Sequence, residues 1–185
     1  MKKKEIAVGD KTVTVTSENQ QYFEGNIVVT DPCYFMPEEV WDALCEKVWF
    51  PEGITDPLSE GGTIYYDGAT ILYSSTAHGD GGYRVNEAHS GNDEFGVDSG
   101  TMCVITQKHF KLISDEVLAK GLYATVEEFS GDVYFEDGNF RGDLTAITDG
   151  SDGDDEEDDE HIDWLEEDDD EDISWDYDRD QEDNY

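Results

Sequence analysis

Four side chains in residues 1–148 could do chemistry: Asp31, His78, Asp80 and Asp98. Three carboxylates and one imidazole are the hard oxygen and nitrogen donors that a divalent metal ion takes. Asp80 with His78 could also serve as an acid/base pair, which would make a hydrolase the extension of a metal- or ligand-binding domain. The glycine-rich run His78-Gly79-Asp80-Gly81-Gly82-Tyr83 could cradle a phosphate on its backbone amides. Each reading has a plainer rival. Asp-Pro, Gly-Asp-Gly and Asp-Ser-Gly are ordinary turn formers, whose carboxylates bond nearby backbone amides. No Gly-x-Ser-x-Gly, Gly-Lys-Ser/Thr phosphate loop or His-Glu-x-x-His signature accompanies them. His89, His109 and His161 have no partner at an informative spacing and read as solvated or structural.

A second set of reactive types lies at the C-terminus, where aromatics are set among acids. The acidic run includes Asp154, Asp155, Glu156, Glu157, Asp158 and Asp159, and later Asp168, Asp169 and Asp170. Between and after them stand Trp164, Leu165, Ile173, Trp175 and Tyr177. Acids would keep these apolar groups in water and steer them to a basic surface, where rings fill pockets or stack on Arg and Lys. His161 to Glu167 could form about two helical turns on such a partner, and Ile173 to Tyr177 could add as a strand to an exposed edge. Carboxylates spaced along a chain also imitate the phosphates of a nucleic acid. A plain solubilising tail or a weak cation buffer is the bland alternative. The order of ligands does not fit a calcium loop.

Charge limits the partner. The chain has 185 residues with 48 Asp plus Glu against 11 Lys plus Arg, a formal net charge of -37. Residues 149–185 hold 22 acids and one base, Arg179, which gives -21; residues 1–148 hold 26 acids and 10 bases, which gives -16. Affinity for DNA or RNA comes from Lys and Arg displacing counterions, so direct nucleic-acid binding is excluded as an expectation. Anionic membrane surfaces are excluded likewise. No run of 18 apolar residues is present, and no apolar segment follows Met1-Lys2-Lys3-Lys4 as a secretion signal would require. The three cysteines, Cys33, Cys45 and Cys103, form no Cys-x-x-Cys pair and suit a reducing compartment. The expected location is cytoplasmic.

The elements that must position these residues read as follows. Lys11 to Thr16 alternates polar and β-branched residues, the pattern of a half-buried strand. Gly25 to Thr30 is a short apolar strand ended by Asp31-Pro32. Pro37 to Trp49 predicts a helix, with Glu38 and Glu39 at its positive end and Val40, Trp41, Leu44 and Val48 as its buried stripe. Strand pairs 63–66 with 69–73 and 133–136 with 139–141 each flank an Asp-Gly, which predicts two hairpins with tight primed turns. Residues 101–106 and 122–129 are further strands, and 114–120 a short helix. The expected fold is therefore α+β, a mainly antiparallel sheet (sandwich or partly open barrel) of seven or eight strands with one helix packed near residues 37–49. It spans residues 1–148. Residues 149–185 form an acidic tail expected to be disordered when free, because the stretch 149–160 cannot offset its ordering entropy by burial.

Three short motifs, Asp31-Pro32-Cys33-Tyr34, His78 to Tyr83 and Val97-Asp98-Ser99-Gly100, resemble a pattern in small uncharacterised bacterial and phage proteins. The resemblance spans roughly Asn26 to Thr106. It implies a compact β-rich fold and transfers no activity. Charge and resemblance together point to a non-enzymatic interaction protein. Its partner would be a basic protein surface, such as a nucleic-acid-binding protein. On this reading it acts as a nucleic-acid mimic or a phage-type inhibitor of a DNA-processing or defence protein. The metal- or ligand-binding domain and a structural protein with a solubilising tail are the alternatives.

Overall fold

The computed structural model describes residues 1–50, 56–86, 93–111 and 122–148. The helix expected at 114–120 and the whole acidic tail lie outside the described residues. The chain divides into units at Asp154/Asp155, and all the described residues belong to the first.

The molecule is mainly antiparallel β with one short α-helix. Its strands are β1 (Lys3–Val8), β2 (Lys11–Thr16), β3 (Gln20–Thr30), β4 (Gly61–Tyr66), β5 (Ala69–Ser75), β6 (Gly81–Arg84), β7 (Glu94–Val97), β8 (Thr101–Thr106), β9 (Tyr123–Glu136) and β10 (Asn139–Gly142). Eight form one sheet in the order β1-β2-β4-β5-β8-β3-β9-β10, and β6 pairs with β7 as a separate ribbon. Every pairing is antiparallel.

The two sheet faces carry two different cores, and strand parity decides which residue serves which. On β3, Val28 joins one core while Ile27 and Val29 join the other. On β8, Cys103 and Ile105 face the first core, and Met102 and Val104 the second. Both parities are buried in the sheet centre, so GNIVVT and TMCVIT read as unbroken apolar runs. At the β1–β2 edge only one face is covered. There Ile6, Val8, Val13 and Val15 alternate with exposed Glu5, Ala7 and Thr12. Each fully buried aliphatic side chain contributes about 1.5–3 kcal/mol.

The helix covers the first face. Helix α1 runs Glu38–Leu44 and passes into a single π turn, Cys45–Trp49, in which the Phe50 amide donates to the Cys45 carbonyl at 2.8 Å. Val40, Leu44 and Val48 are fully buried as the spacing predicts, while Trp41 is half-buried. The wider turn brings Trp49 into the core, 4.9 Å from the Trp41 ring and 5.8 Å from Tyr73. The second face is covered by β6–β7 and by Leu144 and Ala146.

Turn chemistry sets the registers. Asp67 and Gly68 both have positive φ, as do Asp137 and Gly138, which is what the two predicted Asp-Gly turns require. The 122–129 and 133–136 segments are one continuous strand, β9, and not two. Gly131 occupies their junction because the Asp143 side chain lies 2.5 Å from where a Cβ would stand. No described helix is long and apolar enough to cross a membrane.

Candidate functional site

The three motif loops meet, and one carboxylate joins two of them. Asp31 ends β3, and the chain turns at once into a single 3-10 turn, Pro32–Tyr34, which the Asp31 side chain caps. Its Oδ1 accepts from the Cys33 amide at 2.8 Å and from the Ser99 hydroxyl at 2.8 Å. Its Oδ2 accepts from the amides of Asp98 at 2.9 Å and Ser99 at 2.7 Å. Asp31 is fully buried and is the one buried carboxylate among the described residues. Four donors take the place of a counter-ion, which is how a buried carboxylate is made tolerable. The third loop joins through backbone. Thr76 donates its amide to Gly100 O at 2.9 Å and its hydroxyl to Gly79 O at 2.7 Å, and the Tyr83 hydroxyl also donates to Gly79 O at 2.7 Å.

Asp31 and Asp98 are thus brought together, but Asp98 contributes its amide and leaves its carboxylate at the surface. Asp80 and His78 are exposed on the neighbouring loop. His78 lines an open surface cavity of about 480 Å³ with Tyr83, Arg84 and Glu94. Arg84 there is tied to Glu94 at 2.8 Å and Asp93 at 3.3 Å. No group of three or more His, Cys, Asp or Glu among the described residues is placed to hold a metal ion.

Electrostatics around the knot suppress nucleophiles. Burial raises the Cys33 thiol pKa, and the adjacent Asp31 and Asp98 charges raise it further. Burial also raises Cys45 and Cys103. Tyr34 is raised by burial and then by the Asp98 carboxylate, although its hydroxyl has no partner at hydrogen-bond distance among the described residues. A raised pKa keeps the neutral form, so all three thiols are protonated at neutral pH and poor nucleophiles. Iodoacetamide at about pH 8 should therefore label the native chain at least ~10-fold more slowly than the denatured chain, whose thiols ionise near ~8.5. The native rate should rise only at higher pH. Native Cys33 labelling as fast as a free thiol would contradict this placement.

Two other surfaces have chemical character. The outward side of α1 and its π turn carries Glu38, Glu39, Asp42 and Glu46, all exposed. At the far end of β8, Lys108, His109 and Lys111 gather beside an apolar groove. The sequence reading passed over that trio, treating His109 as solvated or structural. The signal was present: three of the few basic or imidazole side chains fall within four residues of a strongly acidic chain. The acidic and aromatic residues 154–177 expected to grip a partner lie outside the described residues.

Compared with family models, curated proteins and solved structures, the chain matches none.

Proposed function

We propose that the protein is a non-enzymatic acidic interaction protein that occupies a basic protein surface of the kind that grips nucleic acid. The observation that carries this reading is where the body's charge lies. Of the carboxylates in the described residues only Asp31 is buried; Asp56 and Asp93 are half-buried, and the rest are exposed. A fold stabilised by internal ion pairs would consume its acids. Here the ion pairs Lys3–Glu5, Lys11–Asp67, Arg84–Asp93 and Arg84–Glu94 among the described residues join largely exposed side chains, so they contribute little. The negative field is left for a partner. Glu38, Asp42 and Glu46 recur every four residues, about 6 Å apart along a helix axis. Such a row offers regularly spaced negative charge, as a phosphate backbone does. The acids of residues 149–185 extend the same field, with Trp164 and Trp175 as apolar anchors. The sheet itself serves as a rigid support. The β9–β10 turn bonds through Thr148 to Ala77 beyond β5, and we take that curl as a partly open barrel.

The metal-centred alternative has less behind it. The Asp31 oxygens already accept four hydrogen bonds, and Asp80 and His78 point no third ligand at a common centre among the described residues.

The α1 row gives a direct test. A labelled DNA duplex bound to a lysine-rich histone is a defined basic surface. The full chain should displace the DNA. The triple variant Glu38→Gln, Asp42→Asn, Glu46→Gln should need about fivefold to tenfold more protein, from roughly 0.2–1 kcal/mol per lost charge contact. Its thermal stability should stay within about 0.5 kcal/mol, as for ordinary surface changes. Unchanged displacement would remove α1 from the interacting face.

A further inference from the structure

The basic trio at the end of β8 borders an apolar recess with positive charge beside it. The groove opens between the β4–β5 turn and the 3-10 turn Gln107–His109, and encloses about 250 Å³. Its floor is Met36, Ile71 and Ile105, which belong to the first core and are 2%, 2% and 1% exposed. Lys108 and Lys111 are exposed on its lip and make no ion pair among the described residues. His109 is held by a 3.0 Å hydrogen bond between its Nδ1 and the Thr106 hydroxyl, which leaves Nε2 as the ring's remaining polar atom. The carboxylate that could neutralise this lip, Asp67, is engaged by Lys11 at 2.9 Å.

We propose that this groove binds a small monocarboxylate with an apolar body. The apolar part would rest on Met36, Ile71 and Ile105, and the carboxylate would meet Lys108 and Lys111. Charge complementarity selects the anion. In a chain of net charge -37, two lysines with no carboxylate partner among the described residues, side by side on one apolar lip, can take an anion that the rest of the described surface repels. Size and polarity narrow the class. The volume falls below the ~300–1,000 Å³ of sites for drug-sized ligands, which favours a small occupant. The apolar floor offers nothing to a second polar group. A flat aromatic acid suits both floor and lip.

Indole-3-acetate is the probe, with indole-3-acetamide as its neutral match, titrated into the full chain by calorimetry and by NMR of the isoleucine methyls. The acid should bind with a Kd of about 1 mM or tighter, and the amide at least ~10-fold more weakly. Shifts should centre on Ile71 and Ile105. Lys108→Gln with Lys111→Gln should weaken the acid about tenfold without moving the melting temperature. Equal binding of acid and amide would overturn the proposal. So would an unchanged Kd in the double variant, or methyl shifts confined to residues away from Ile71 and Ile105. The acid/amide comparison needs no variant and stands even if the substitutions disturb the turn.

Discussion

Asp31→Ala should destabilise the folded body by about 3–5 kcal/mol, a drop in melting temperature of roughly 10–15 °C for a domain of this size. The substitution removes the acceptor for three backbone amides and one hydroxyl. Each buried donor left without a partner costs about 1–3 kcal/mol, less what water can reach. Relief from burying a charge offsets part of this. The informative variant is Asp31→Asn, which keeps size and shape. Its single carbonyl oxygen can serve the donors on one side only. Its amide NH2 then faces N–H groups on the other, donor against donor. Asn should therefore cost nearly as much as Ala, while Ser99→Ala, which deletes one of four bonds, should cost about 1 kcal/mol. Urea unfolding followed by far-UV circular dichroism reads all three. If Asp31→Asn lies within about 1 kcal/mol of the native chain, the carboxylate does not hold the loops as described.

This knot shows how far sequence reasoning reached. The residue types and turn positions at Asp31 and at Asp98-Ser99 were legible, because Asp-Pro and Asp-Ser-Gly carry their turn chemistry locally. That one carboxylate would accept amides 67 and 68 residues away was not legible. Such a contact follows from β3 and β8 pairing side by side, and one sequence does not print that order. Local signals explain the successes in the fold. KTVTVT, TMCVIT and both Asp-Gly turns are correct because each pattern is short-range. The failures have physical causes. Strand β1 was not expected, because Lys3 and Lys4 at its start mask the short apolar alternation behind them; lysines are how an edge strand guards its open side. Strand β6, GGYR, has no apolar run, since its partner ribbon supplies the buried Phe95 and Val97. Strand β9 was split at Ser130-Gly131-Asp132, where glycine marks a close approach by Asp143 and not a turn. The helix at 37–49 was placed correctly, but its last turn is π, and nothing in the stripe of apolar residues announces that.

Removing residues 149–185 should produce the largest functional loss. The segment carries -21 of the -37 charges, together with Trp164 and Trp175. Every described residue of the two cores lies at or before Ala146. In the histone–DNA displacement assay, residues 1–148 should be at least ~100-fold weaker than the full chain, which corresponds to about 2.7 kcal/mol. Trp164→Ala and Trp175→Ala should each cost a smaller part, about threefold to tenfold, if the rings are anchors. Tryptophan variants equal to the native chain would reduce the segment to bulk charge.

The central claim is that surface charge, displayed for a basic partner, is what this protein does. It is tested most directly by the salt dependence of that displacement, set beside a polyaspartate of equal charge. Between about 50 and 500 mM salt the screening length falls from ~14 to ~4 Å, so the full chain should lose at least ~10-fold in potency. At every salt concentration it should still outcompete polyaspartate, because the folded row and the aromatic anchors add to charge alone. Displacement that is indifferent to salt, or no better than polyaspartate, would contradict the account.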